Sequence, residues 1–340
     1  MKKTFRFILV LLLILVLFSA WKVFGPSVSV PQDNFLYIKT GETFGEMRDE
    51  LASKKIISSP LWFDWVSKAM SFNTAKAGKY EIKKNMSLFE LVRMLRNGKQ
   101  TPVKLTITKL RLKEDLARKM GQLFEFDSLA AIRFLTNNDS LKAFGLDTNT
   151  VLTAVMPDTY SYFWNSHPQK VYEKLFQHWK KYWNDDRISK AGKLGLTPVQ
   201  VSTLASIIDE ESNYKGEKDK IASVYLNRLK INMPLQADPT VKFALKDFTL
   251  KRIYQKHLTV QSPYNTYMNR GLPPGPVCTP QPETIDTILN APQTDYLYFV
   301  ANSDFSGTHI YTSNYSDHLK FAKKFAAAQD RQDSIRKANR

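Results

Sequence analysis

The sequence predicts an α+β protein built from a single N-terminal transmembrane helix, a small α+β module and a larger mixed α+β domain. Three observations carry that prediction. Phe7 to Trp21 is an uncharged apolar run behind Lys2, Lys3 and Arg6. Next comes a strand, helix, helix, strand succession with alternating and then helical apolar periods. From Val103 onward longer helical periods mix with isolated strands, and no internal repeat is visible. The expected division is 1–25 for the cytoplasmic N-terminus and anchor and 26–34 for a linker. The small module takes 35–102, the large domain 103–318, and a basic helix or tail 319–340.

Composition narrows the function classes. The 340 residues are 43% hydrophobic and 24% charged, which excludes global disorder. A net charge of +17 points to nucleic acid, an anionic membrane surface or an acidic polymer. The single Cys278 rules out an intramolecular disulfide framework and any multi-cysteine metal site. The five histidines show no zinc-hydrolase spacing, and no cofactor is implied.

The apolar run sets the compartment. Extended through Lys22 to Gly25, with Lys22 snorkelling, it approaches the roughly 20 residues needed to cross a bilayer. A cleaved signal peptide has an apolar region of about 7–15 residues. Cleavage after Ala20 would place Phe18 where a small residue is wanted, so the segment reads as a retained anchor. The basic residues ahead of the run keep the N-terminus in the cytoplasm. The rest then lies on the periplasmic or outer side of the cytoplasmic membrane, which argues against nucleic acid as a partner.

Along the chain, 26–34 is polar with two prolines and reads as a linker. Phe35 to Lys39 is a strand, Thr40-Gly41 a turn, and the helix after Thr43 carries Phe44, Met47 and Leu51 on one face. Ser59 and Pro60 start a second helix with Leu61, Trp62, Trp65 and Val66 expected inward. Gly78 to Ile82 returns as a strand, and Ser87 caps a helix with Leu88, Leu91, Val92 and Leu95 inward before Gly98 ends it. This succession resembles a LysM-like module, a small fold that grips N-acetylated sugar chains. In the larger region Pro157 to Trp164 reads as an aromatic-rich turn, and Val171 to Trp183 as a helix with Leu175, Trp179 and Trp183 inward.

Chemistry concentrates in Thr197 to Thr240. Thr197, Pro198 and Gln200 form a helix start with a capping box. Val201, Leu204, Ala205 and Ile208 share one face, which points Glu210 toward solvent and leaves Asp209 and Glu211 on the borders, Glu211 nearer the centre. A carboxyl at the edge of an apolar face near a helix C-terminus has its pKa raised by lost hydration and by the dipole, as a general acid requires. The structural alternative is a helix ending in solvated acids paired with Lys215, Lys218 or Lys220. Spacing by itself does not decide between them. A second helix, Glu217 to Lys230, has Ile221, Val224, Tyr225 and Leu229 inward. An extended Leu-Gln-Ala-Asp-Pro-Thr run follows, and then a Gly/Pro-rich loop suited to a groove wall or a rigid connector.

The ordered stretches SIIDEES, KIASVYLNRL, LQADPT, SPYNTY, GLPPGP and YLYFVA, preceded by KAGKY and PDTY, resemble the MltG/YceG-like family of membrane-anchored endolytic murein transglycosylases. The resemblance runs from the anchor to about His318. It implies a lyase that cleaves β-1,4 bonds between N-acetylmuramic acid and N-acetylglucosamine within peptidoglycan strands, leaving 1,6-anhydro ends. It implies Glu211 as the catalytic acid, and penicillin-binding synthases as partners. Asp209, Glu210 and Ser212 depart from the family's usual Glu, Lys and Thr, and Leu152-Thr153 replace a usual Glu-Gly. Gln236, Asp238, Tyr264, Asn265 and Tyr267 are candidates to hold substrate, with internal hydrogen bonding an equal explanation for each. A second carboxylate about 5–9 Å from Glu211 would permit a hydrolase instead, and Asp238 is the residue to watch. A catalytically silent murein-binding scaffold that recruits synthases is the rival reading.

Overall fold

The computed structural model describes residues 2–212 and 214–338. The elements run α1 (Lys2–Phe24), β1 (Phe35–Ile38), α2 (Phe44–Ser53), α3 (Pro60–Ala69), β2 (Gly78–Glu81), α4 (Leu88–Asn97), β3 (Val103–Ile107), α5 (Lys113–Leu123), α6 (Ser128–Leu135), α7 (Asn138–Lys142), β4 (Asp158–Tyr162), α8 (Pro168–Tyr182) and α9 (Asp185–Lys193). They continue with α10 (Pro198–Glu211), α11 (Lys218–Lys230), α12 (Asp238–Leu245), α13 (Gln255–Leu258), α14 (Pro282–Leu289), β5 (Tyr298–Ala301), β6 (His309–Thr312) and α15 (Tyr315–Ala338). Single-turn 3₁₀ segments occupy Val151–Ala154 and Lys215–Glu217. The chain is thus mixed α+β, with three two-stranded sheets, β1-β2, β3-β4 and β5-β6, among the described residues.

Contacts divide the chain into two compact units. The first is Met1–Leu105 with Met120–Asp127 and Ser161–His167; the second is Thr106–Lys119, Ser128–Tyr160 and Pro168–Arg340.

In the first unit β1 and β2 pair antiparallel, with Leu36 opposite Tyr80 and Ile38 opposite Gly78. The helices start where local chemistry dictates. Thr43 with Glu46 and Ser87 with Glu90 form reciprocal capping boxes, and Gly98 ends α4 in the left-handed conformation. Leu36, Ile38, Met47, Leu51, Phe63, Tyr80, Leu91, Val92 and Leu95 make the core. Two expectations change here. On α3 the buried face is Phe63, Val66 and Ser67, while Leu61 and Trp65 are 80% and 60% exposed. The apolar residues of α3 occupy nearly its whole circumference, so periodicity had no polar stripe with which to orient the helix. Residues 26–34, expected as a free linker, are tied down: Val28 is buried, Pro26 and Val28 bridge Ser87 and Ile57, and the Ser29 N–H donates to the Ile56 carbonyl at 2.9 Å.

In the second unit α8 buries Val171, Tyr172, Leu175 and Trp179, and Trp183 is buried just beyond it, as its spacing predicts. The expected aromatic turn starts instead as strand β4, whose residues Asp158 to Tyr160 belong to this unit; the Tyr160 hydroxyl donates to the Met156 carbonyl at 2.8 Å, which fixes the strand's start. The β5-β6 hairpin pairs Tyr298 with Thr312 and Ala301 with His309, and α15 packs on it. α10 is the centre of this unit. Its capping box, Thr197 with Gln200, is present, and every residue from Val201 to Asp209 is buried.

Candidate active site

A helix buried on all sides delivers whatever ends it into protein, and α10 ends in three acids that meet three different environments. Asp209 is fully enclosed. Its carboxylate accepts from Lys218 Nζ at 2.5 Å, Thr284 Oγ1 at 2.6 Å and the Gln281 N–H at 2.8 Å. These bonds are all fold contacts, so Asp209 locks α10 to the start of α11 and to α14. Glu210, expected to point at solvent, instead lies half-buried against two cations. Arg111 Nε and Nη2 donate to its Oε2 at 2.9 and 2.8 Å, and Lys109 Nζ lies 3.2 Å from Oε1. The outer face of α10 is covered by the segment carrying those residues, which the period of one helix could not anticipate.

Glu211 differs from both. It is partly buried, no salt bridge to it occurs among the described residues, and its Oε2 is enclosed without a hydrogen-bond partner. Burial pushes its carboxyl up to about 8, and the negative charge of Asp238 adds to the rise, while Lys242 and Arg228 oppose it. Such a carboxyl is largely protonated at neutral pH and becomes a carboxylate once it gives its proton away.

The surroundings of Glu211 come from α11, α12 and the loop before α14. Asp238 is the first residue of α12, so the run expected to be extended turns helical there, with Pro239 in the opening turn. The Tyr267 hydroxyl donates to Asp238 Oδ1 at 2.6 Å. Burial and the Asp238 charge push the Tyr267 phenol well up, so it remains a donor. The two loops carrying these residues are stitched together at Thr266. Its carbonyl accepts from the Gln236 N–H at 3.1 Å, its Oγ1 accepts from the Ala237 N–H at 3.0 Å, and that oxygen lies 2.9 Å from Thr240 Oγ1. The Leu-Gln-Ala-Asp-Pro-Thr and Ser-Pro-Tyr-Asn-Thr-Tyr stretches are therefore halves of one hydrogen-bonded assembly.

The remaining expected site residues fall into different places. Asn265 is fully buried; its amide nitrogen donates to the Leu258 and Val260 carbonyls, and its Oδ1 accepts from the Tyr267 N–H. Gln236 has an exposed side chain and a left-handed backbone at φ 50°. Tyr264 packs against Phe243 with ring centroids 4.6 Å apart and the rings tilted by 40°, and lines a cleft of about 130 Å³ together with Arg111, Lys113, Leu152 and Lys246. The structure thus brings Glu211, Asp238 and Tyr267 into one electrostatic neighbourhood, and places the side chains of Asn265, Gln236 and Tyr264 elsewhere on the same loops.

Sequence reasoning passed over Arg228 and read Tyr225 only as core. Arg228 is buried on α11, donating from Nε to the Leu297 carbonyl at 2.6 Å and from Nη1 to the Leu235 carbonyl at 2.5 Å. It ties the helix both to the segment leading into β5 and to the loop ahead of Asp238, and it occupies the inward position expected of Leu229. Tyr225 is buried with its hydroxyl unpartnered; burial and then the Glu211 charge push its phenol up. A signal existed: Tyr225 and Arg228 stand three apart on the face of Ile221, so the arginine falls where an apolar residue belongs. Glu217 and His309 form a further partly buried contact. Glu217 Oε1 accepts from the His309 N–H at 2.7 Å, and its Oε2 lies 3.1 Å from the imidazole Nδ1, pinning β6 to the start of α11. Gly275 in the Gly/Pro-rich loop sits so close to the Asn149 carbonyl oxygen that a Cβ would lie 2.0 Å from it. Among the described residues no group of three or more His, Cys, Asp or Glu is placed to hold a metal ion.

Comparison with known proteins gives a consistent result. The model of the YceG-like family matches residues 36–324. A protein of Bacillus subtilis described as an endolytic murein transglycosylase is 28% identical over 314 residues, covering 86% of this chain and 85% of the relative. One of Streptococcus pneumoniae with the same description is 27% identical over 311 residues, and there the match spans only 56% of the relative's length. A 2.6 Å crystal structure of a YceG-like protein from Listeria monocytogenes superposes with a TM-score of 0.56 at 25% identity, covering 85% of this chain and 99% of the other. With the family model spanning most of its length, this chain belongs to the YceG-like family.

Proposed function

We propose that the protein is a membrane-anchored lytic transglycosylase that cuts peptidoglycan strands internally, at the bond from N-acetylmuramic acid to N-acetylglucosamine. The relatives' descriptions as endolytic murein transglycosylases support the reaction class. The observation that carries the catalytic assignment is Glu211: a carboxyl held up to about 8, with one oxygen enclosed and unpartnered, at the end of a rigid buried helix.

In this reading protonated Glu211 donates its proton to the leaving glycosidic oxygen as the C1–O bond of the muramyl residue breaks. Positive charge develops at C1. The C6 hydroxyl of the same sugar then attacks C1, and the Glu211 carboxylate accepts the hydroxyl proton. The 1,6-anhydro ring closes and the acid is restored, with no water consumed. Because the nucleophile is already attached to the reacting sugar, no second carboxylate is needed to activate one. Asp238 plays a different part. Its charge helps keep Glu211 protonated at neutral pH, and Tyr267 holds Asp238 in place. Asn265 shapes the loop that presents Tyr267.

The remaining parts serve delivery. α1 includes a 22-residue apolar span, Lys3–Phe24, long enough to cross a bilayer at about 1.5 Å per residue. The helix continues unbroken past Ala20, and its Val23 is part of the first unit's core, which suits an anchor that is retained. The basic residues ahead of it favour an N-terminus in the cytoplasm and a catalytic unit outside. The β1-α2-α3-β2 order supports a LysM-like glycan-binding role for the first unit. The net charge of +17 favours residence on a polymer bearing stem-peptide carboxylates. Penicillin-binding synthases are the partners we propose, and co-purification from membranes tests them. The catalytic reading is tested by Glu211→Gln on intact sacculi: anhydro-ended products disappear while glycan binding remains. Undiminished product would remove Glu211 from the mechanism.

A further inference from the structure

The first unit carries an exposed apolar face that its own fold leaves uncovered. Leu61 and Trp65 stand four apart on α3, hence on one side of it, and are 80% and 60% exposed. Trp62 lies beside them, 6.1 Å from Trp65 between ring centroids. Asp64, which precedes Trp65 on α3, is paired with Arg48 at 3.3 Å.

What lies next to that face is the anchor. Phe18 of α1 meets Trp62 edge to face, with ring centroids 6.5 Å apart, and Phe24 meets Phe89 of α4 at 5.3 Å. Val23 is buried in the first unit's core, so the end of α1 is packed onto this unit instead of hanging from it. Depth follows from helix geometry. The apolar span Lys3–Phe24 is 22 residues long, a rise of about 33 Å, which fills a hydrocarbon layer of about 30 Å from end to end. Phe18 lies six residues before Phe24, about 9 Å further into that layer. A tryptophan in contact with Phe18 is therefore below the headgroup boundary. At the outer end of the same helix the Arg93 guanidinium lies 5.6 Å from the ring of Phe89, the residue that packs on Phe24. A cation over an aromatic ring at that level suits a phosphate-rich interface.

We infer that the N-terminal half of α3 is a membrane-inserted element. Leu61, Trp62 and Trp65 enter the leaflet from which α1 emerges, and the first unit rests on the bilayer surface at a fixed height. The inference depends on α1 being a retained anchor. Its occupant is lipid, because the exposed face continues the exposed apolar surface of α1 itself. With 26–34 strapped to the unit by the Pro26 and Val28 bridges, no free tether remains to lift it away.

The test uses the full chain in nanodiscs of phosphatidylethanolamine and phosphatidylglycerol, with a nitroxide on single cysteines in a Cys278→Ala background. The labelled variants are Leu61→Cys and Trp65→Cys, both at exposed positions that the core does not need. Leu13→Cys serves as a mid-membrane reference, and Lys193→Cys, on an exposed turn of the second unit, as an aqueous reference. Collision with dissolved oxygen and with a water-soluble nickel chelate is read by power saturation. Labels at 61 and 65 should show an oxygen-to-nickel ratio several-fold above that at 193, approaching that at 13. Ratios at 61 and 65 equal to that at 193, with 13 in lipid, would leave the anchor standing and overturn the inference. Labels at 61 and 65 reached by neither collider would mean that protein covers the face, which also overturns it. Water-like access at 13 would show that the anchor reading had failed, and the inference with it.

Discussion

The raised pKa of Glu211 has a consequence for stability that can be measured without substrate. An ordinary glutamate titrates at 4.5, and in the folded protein Glu211 titrates at about 8. Between those values the native state holds a proton that the unfolded chain has released. Stability is therefore fully present below the unfolded value and is lost as pH rises toward the folded one. At pH 7 the gap of about 2.5 pH units corresponds to about 3 kcal/mol, reduced toward 2 kcal/mol by the part of the side chain open to solvent. Glu211→Gln keeps the shape and removes the titration. The variant should be more stable than the parent by about 2 kcal/mol at pH 7, a rise of about 4–8 °C in the Tm of a unit this size. The difference should shrink to about 1 °C at pH 5, where the parent's carboxyl is close to its unfolded-state titration. Scanning calorimetry of the two proteins in the same detergent, at half-unit steps from pH 5 to pH 8, gives the comparison. A Tm difference independent of pH, or one favouring the parent at pH 7, would refute a desolvated, protonated Glu211.

Other perturbations act on the neighbours. Asp238→Asn removes the charge that helps keep Glu211 protonated, so the alkaline limb of the kcat/KM profile on isolated glycan strands should move to lower pH; an unmoved limb would disconnect the two residues. Asp209→Asn strips the charge from a buried pair and leaves Lys218 uncompensated, at a cost of about 3–5 kcal/mol. It should lower the Tm steeply and leave the pH profile of the surviving activity unchanged. Arg228→Met deletes two charge-assisted bonds to the Leu297 and Leu235 carbonyls, worth about 1.5–3 kcal/mol each, and should lower both Tm and activity because the loop ahead of Asp238 loses its tie. Gly275→Ala forces a Cβ against the Asn149 carbonyl and should destabilise the second unit, as read by its melting transition, without shifting the pH optimum.

Much of this protein is legible in its sequence, and the limits have physical causes. Local signals survive into the fold: the Thr197–Gln200 capping box, the Ser87 cap and the Gly98 stop are contacts among residues within one turn, which short-range chemistry determines. The period of α10 finds its buried face. It misplaces Glu210 because that face is not the only buried one; Lys109 and Arg111 come from about a hundred residues away to cover the other side. The wheel therefore favours Glu211 for a reason only half of which holds in three dimensions. Its solvent access comes from the helix ending there, while the rise in its pKa comes from burial and from Asp238, on an element beyond the reach of periodicity. α3 shows the reverse case: Leu61 and Trp65 read as core because exposed apolar residues look like core until a second apolar surface, here that of α1, is placed beside them. Arg228 was legible in principle, as a charge at a core position.

The central claim is that one carboxyl turns strand cleavage into intramolecular ring closure. It is tested most directly by mass spectrometry of fragments released from intact glycan strands. New muramyl ends should be lighter by one water than hydrolysis would leave, and should be absent with Glu211→Gln. Reducing ends of full hydrolytic mass would contradict the claim, and would point to Asp238 and Glu211 working as a water-activating pair.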